Sequence, residues 1–170
     1  MSGVDEDGFE APDLPALVTA LAEVKAEAVA SRPEAAGAVV VACDSLLDVG
    51  GEAHGKPAGE AEARARLQRL RGRSAILRTG HCVIDTASGR RSAAAAATEV
   101  VFGRFSDAEI DAYLATGEPL HVAGAFTLDG RSAPFIDRIV GDDGNVIGLS
   151  LPLFRRLLAD VDLSVMDLWA

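Results

Sequence analysis

An aliphatic run that closes on a carboxylate, Val39-Val40-Val41-Ala42-Cys43-Asp44-Ser45, constrains this chain more than any other segment. β-Branched residues in series favour an extended strand, and a strand apolar at successive positions is one buried on both faces. In open α/β sheets the ligand crevice lies at the carboxyl ends of strands, so Asp44 is expected at a sheet rim. Gly55-Lys56-Pro57 follows and places a cation on the next stiff turn. A carboxylate and a lysine in this order point to metal-assisted chemistry on a phosphorylated substrate.

The chain has 170 residues, enough for one domain with a real core and too few for two comfortable ones. Residues 1–170 are therefore read as a single α/β domain. A net charge of -10 argues against a nucleic-acid surface, which is usually basic. Cys43 and Cys82 are too few for a disulfide framework and do not form Cys-x-x-Cys, so they read as buried reduced thiols. The acidic start through Asp5-Glu6-Asp7 is no signal peptide, and no apolar run has the length of a membrane span. A cytoplasmic protein is expected.

Strand and helix patterns alternate along the chain. Asp13 caps a helix with Pro15 near its start, and Leu14, Leu17, Val18, Leu21 and Val24 recur at helical spacing before Pro33. Residues 38–47 follow as the aliphatic strand, and an extended piece runs from the Gly50-Gly51 turn to His54. Glu60 to Arg71 reads as a helix closed by Gly72, with Leu67 and Leu70 inward and many charges outward. Residues 74–86 and 92–102 read as strands joined at Ser88-Gly89-Arg90, with the alanine run 93–97 taken as strand because β-branched residues follow it. Ser106-x-x-Glu109 is a capping box for a helix that ends by Gly117. Residues 121–128 and 134–140 look like a strand pair around Asp129-Gly130, and residues 142–145 like a turn. Ser150 caps a last helix, with Pro152 early in it, that ends near Asp160.

Four charged residues are candidates for chemistry, and each has a plainer reading. Asp44 can serve the reaction or merely cap the next turn. Lys56 can neutralise phosphate oxygens as a point charge or sit in solvent on its loop. Lys25 is the lone basic residue on its helix and can reach along the helix toward the sheet rim or remain solvated. Glu6 belongs to an acidic stretch, yet with Asp44 it could supply the one or two carboxylates that Mg²⁺ takes alongside substrate phosphate oxygens. His54, His81 and His121 are dispersed and lack metal-ligand spacing, so none is assigned to catalysis.

Taken together, Ser2-Gly3-Val4-Asp5-Glu6, Lys25-Ala26, Cys43-Asp44-Ser45 and Gly55-Lys56-Pro57 resemble the Maf family of nucleoside triphosphate pyrophosphatases. The likeness continues through Gly117-Glu118-Pro119-Leu120, Ala123-Gly124-Ala125-Phe126, Gly130 and Val146-Ile147-Gly148-Leu149-Ser150-Leu151-Pro152. It implies an α/β fold with a mixed twisted sheet flanked by helices. It also implies hydrolysis of a nucleoside triphosphate to the monophosphate and pyrophosphate with a divalent cation, Mg or Mn, and removal of modified nucleotides. Asp44 would be the proton acceptor that activates water, and Glu6 would hold the metal with it. Lys25 and Lys56 would clamp the phosphates, and the family precedent allows a homodimer.

Two departures qualify the resemblance. Family members open with an aliphatic strand and a Ser-x-Ser-Pro-Arg-Arg turn, whereas this chain starts just before the segment around Glu6. The fold is accordingly expected without that first strand. An alternative is then a nucleotide-binding or regulatory module, linked to cell division, that lacks full catalytic power. Asp129 stands where family members selective for thymidine and uridine triphosphates carry Gln. An acceptor-only group there leaves base preference open, and Asp129 reads equally as a substrate contact or as an Asx-type turn residue.

Overall fold

The computed structural model describes Phe9 and residues 11–169, so Glu6 lies outside the described residues. Five strands take the order β2-β1-β3-β4-β5, with β1 spanning Val39–Val49, β2 Glu52–His54, β3 Ser74–Asp85, β4 Arg90–Phe102 and β5 Ile136–Val140. The helices are α1 (Leu14–Ala30), α2 (Glu60–Leu70), α3 (Asp107–Leu114), α4 (Asp143–Ile147) and α5 (Leu151–Asp160). This is an α/β fold, and both terminal strand pairs, β1–β2 and β4–β5, are antiparallel. The chain divides into two compact units, the first Met1–Asp44 with Thr79–Ala96 and Gly148–Ala170, the second Ser45–Arg78 with Ala97–Ile147.

In the first unit, the alternation of side chains along each strand assigns one helix to each face. Val40, Ala42, Cys82, Ile84 and Ala93 pack against Ala22, Ala26 and Val29 of α1. Their odd-and-even neighbours Val39, Val83, Ala94 and Ala96 pack instead against Leu153, Leu157 and Leu158 of α5. The alanine run of β4 thus lies between two helices, where a small side chain on each face is what fits. Asp13 caps α1 by accepting from the Ala16 N–H (2.8 Å), and Ser150 caps α5 by accepting from the Leu153 N–H (3.3 Å).

α1 presents only part of the face that its large apolar residues predict, Val18 and Leu21. Val18, Leu21, Ala22 and Ala26 are the buried ones, while Leu14, Leu17 and Val24 are half-buried. Ala22 and Ala26 complete the buried face, and the helix backbone sits close to the sheet where it meets a glycine. A Cβ on Gly80 of β3 would overlap the Val18 carbonyl and come within 2.6 Å of the Thr19 nitrogen.

The second unit has a larger core, built on Leu67 and Leu70 of α2, Ile110 and Tyr113 of α3, and the strand residues Leu47, Leu77, Val100 and Phe102. Phe102 meets Phe126 edge-on at 4.9 Å between centroids, and Phe105 stacks on Phe135 at 4.7 Å. The capping box of α3 is formed on both sides: Ser106 accepts from the Glu109 N–H (3.2 Å) and Glu109 from the Ser106 N–H (2.6 Å).

Several expectations are corrected. β1 runs on to Val49, so Asp44 is mid-strand rather than at a carboxyl end, because Leu47, Asp48 and Val49 pair with β2. The strand is mostly half-buried rather than covered on both faces, and Val41 is exposed. Residues 121–128 form no strand. Two 3₁₀ turns, Glu118–His121 and Ala123–Ala125, replace it, and β5 pairs with β4. Gly117 and Gly124, at φ of 74° and 72°, take the left-handed conformation that breaks the extended run. Residues 143–147 are helical rather than a turn. Asn145 is buried there, and its amide donates to the Leu77 carbonyl and the Thr98 hydroxyl, both at 3.2 Å.

Candidate active site

Lys25 and Asp44 meet in the first unit. Asp44 shares the face of β1 that carries Val40 and Ala42, the face α1 covers, and Lys25 immediately precedes the buried Ala26. The Lys25 ammonium donates to Asp44 Oδ1, and the two side chains are only 17% and 12% exposed. A charge pair this sheltered is screened little by salt, so its direction and strength survive in solution. Cys43 points away from Asp44 along the strand, and burial first, then the neighbouring Asp44 charge, push its thiol up to about 11.

Lys56 is exposed on its turn in the second unit, while Pro57 behind it is buried. The turn itself is fixed through its backbone. The Gly55 carbonyl accepts from the Gly124 N–H (3.0 Å) and from Arg66 Nη1 (2.5 Å), and the Ala58 N–H donates to Glu62 Oε2 (2.8 Å). Two motifs far apart in sequence, Gly55-Lys56-Pro57 and Ala123-Gly124-Ala125-Phe126, are therefore joined at one carbonyl. Gly124 has no alternative there: a Cβ would stand 2.7 Å from Leu47 Cδ2, besides the positive φ.

Asp129 is exposed at the tip of the following loop and accepts from the Thr127 hydroxyl, a side-chain contact rather than the backbone N–H bond of an Asx turn. The loop below it is anchored twice. Ser132 Oγ accepts from the Thr127 N–H and donates to the Thr127 carbonyl, each at 2.8 Å. The Glu118 carboxylate accepts from the Arg131 N–H (2.9 Å to Oε1), and a Cβ on Gly130 would lie 2.5 Å from that same oxygen. Glu118 of the Gly-Glu-Pro stretch and the Thr127 methyl, 2.6 Å from the same Cβ position, together leave room only for Gly130.

Three features were not visible beforehand. Arg66 of α2 is buried, 5% exposed, and is one charge of that helix that does not face outward. Its i,i+4 spacing from Glu62, to which Nη2 donates, was the available signal. Arg78 donates through Nε (3.0 Å) and Nη2 (2.9 Å) to Asp48 Oδ2, a pairing of neighbouring strands that no local pattern announces. His81 is fully buried. Its Nε2 accepts from the Ser150 N–H (2.8 Å), so the proton sits on Nδ1 and reaches the Thr79 carbonyl (3.0 Å). That is a structural histidine that holds the start of α5.

Among the described residues, no three His, Cys, Asp or Glu side chains converge to hold a metal ion. Mg²⁺ needs no such cage, since one or two carboxylates and substrate phosphate oxygens satisfy it. The sheltered carboxylate of Asp44 has the right chemistry for that role. No helix among the described residues is long and apolar enough to cross a membrane.

An α/β protein with a lysine-paired carboxylate on an inner strand is the class this geometry defines. The chain belongs to the Maf family, matching the sequence pattern described as Maf-like protein over residues 1–161. It is 62% identical over 170 residues to the nucleoside triphosphate pyrophosphatase of Streptomyces coelicolor, covering 100% of this chain and 82% of the relative. The Streptomyces avermitilis protein of the same name is 59% identical, over 99% of this chain and 82% of its own length. That of Salinispora tropica is 50% identical, over 100% and 76%.

Proposed function

We propose that this protein is a nucleoside triphosphate pyrophosphatase, a hydrolase of acid anhydrides that releases the nucleoside monophosphate and pyrophosphate. The reading rests on 50–62% identity, across 99–100% of this chain, to relatives bearing that name. The observation that carries the mechanism is the sheltered Lys25–Asp44 pair. Asp44 takes a proton from the water that attacks the α-phosphorus. The bond from that phosphorus to the α,β-bridging oxygen then breaks, and pyrophosphate leaves with the electron pair. Lys25 orients the Asp44 carboxylate and, with Lys56, offsets negative charge as it shifts toward the leaving group. Asp129 is assigned to the substrate.

Asp44 and Glu6 would hold a divalent cation, Mg²⁺ or Mn²⁺, which when bound supplies charge neutralisation and a more acidic water. Two free thiols, Cys43 and Cys82, suit a reducing compartment, and we place the enzyme in the cytoplasm. A net charge of -10 disfavours nucleic acid as a partner, and a homodimer completes the proposal.

The test is pyrophosphate release from a panel of nucleoside triphosphates with Mg²⁺ or Mn²⁺, for the protein and its Asp44→Asn variant. Release that vanishes in the folded variant supports the reading. Equal release from both removes Asp44 from the chemistry, and none from either removes the activity.

A further inference from the structure

We infer that Arg66 and Glu62 of α2 are positioning residues for the reaction, holding the Gly55–Ala58 turn so that Lys56 is presented in one fixed place. The inference rests on the role proposed above for Lys56.

The geometry is specific. Arg66 Nη1 reaches the Gly55 carbonyl on one side of Lys56, and Glu62 Oε2 takes the Ala58 N–H on the other. Arg66 Nη2 also donates to Glu62 Oε1, which ties the two clamps together. Lys56 itself is exposed on a long flexible stem, so the backbone beneath it sets where that stem begins and hence what its ammonium can reach. A misplacement of ~1 Å at a charge-bearing group can cost about 10²-fold in rate, which is the reason to hold such a turn from both ends.

Stability does not account for an arginine at this position. Its Nε is buried with no hydrogen-bond partner among the described residues, and burial lowers the basicity of its guanidinium. An apolar side chain of similar length would fill the place without desolvating a cation, and such replacements are often neutral or stabilising. What only arginine supplies is reach, with one nitrogen on Gly55 and another on Glu62.

The test compares Arg66→Met, Glu62→Ala, Lys56→Ala and the double variant Lys56→Ala/Arg66→Met. Arg69→Met is the control for loss of a nearby charge from the same helix. Two readouts are taken: steady-state pyrophosphate release, and Kd for an α,β-methylene nucleoside triphosphate, whose α–β bridge resists hydrolysis. Arg66→Met and Glu62→Ala are expected to weaken kcat/KM and Kd about tenfold. Melting temperature should hold or rise for Arg66→Met, and Arg69→Met should leave kinetics unchanged. In the Lys56→Ala background, Arg66→Met should change little more, because the two act through one contact.

Multiplied effects in the double variant, or no effect of either single α2 variant in a folded protein, overturn the inference while Lys56 keeps its role. If Lys56→Ala alone is silent, the role of Lys56 falls and the inference falls with it. Glu62 is half-exposed, so Glu62→Ala keeps the test decisive even if Arg66→Met does not fold.

Discussion

Gly80 of β3 lies directly beneath the Val18 peptide of α1, so close that a methyl group on it would overlap the helix backbone. This contact sets the depth of α1 on the sheet. Depth decides whether Lys25, two turns further along, meets Asp44. Gly80→Ala is expected to cost about 2–3 kcal/mol, read from urea melts, as overpacking forces the helix outward. Gly59→Ala meets open space with an extended φ of 179° and should stay within about 0.5 kcal/mol of the parent.

Lys25→Met removes the donor on Asp44 Oδ1 while it keeps the stem that packs beside Ala26. Loss of one preorganised charge at a reacting centre typically costs about 10²–10³-fold in kcat. A fall in pyrophosphate release of about 100-fold, with an unchanged circular-dichroism spectrum, is the expected result. Lys25→Arg should recover only part of it, since a planar fork does not replace a point charge.

Both thiols are held well above their ordinary range, to about 11, chiefly by burial. The thiolate is the reactive form, so neither should react appreciably with iodoacetamide at pH 8 in the native protein. Mass spectrometry should find no added carbamidomethyl group until denaturant is present, and two of them afterwards. Cys43 is half-buried where Cys82 is fully buried, so rapid native labelling of Cys43 would contradict the raised thiol.

His54 is held below its usual 6.5, first by burial and then by the Arg66 charge, with Arg69 adding to the effect and Glu52 and Glu62 opposing it. The unfolded chain therefore takes up the proton more readily than the folded one. Above about pH 6.5 the neutral ring contributes its full share to stability, and that share is lost as pH falls below 6.5 toward the folded-state value. Urea melts between pH 8 and pH 5 should show this decline, and His54→Gln should reduce it.

Much of this fold is legible in the sequence wherever one residue acts on its near neighbours. The caps at Asp13, Ser106 and Ser150 are such cases, and so is the alanine run read as strand from the residues after it. Faces defined by small residues were not legible. Ala22 and Ala26 complete the buried face of α1, whose backbone sits close to the sheet where it meets Gly80, more than fifty positions later. Residues 121–128 read as a strand, yet Gly117, Gly124, Glu118 and Ser132 hold this part of the chain in turns through backbone conformation and side-chain bonds that no periodicity encodes. In the candidate site, Lys25 and Asp44 could each be nominated from sequence. Their pairing could not, since it depends on how deep α1 sits.

The anchors of the loop from Thr127 to Arg131 grip main-chain atoms, with Ser132 on Thr127 and Glu118 on the Arg131 N–H. Neither of these grips reads the side chains at Leu128 and Asp129 between them. Sequence can therefore drift at that tip while the backbone path stays put. A lineage carrying this fold can revise what the loop touches without relearning how to fold, and laboratory libraries aimed at new substrates should begin there.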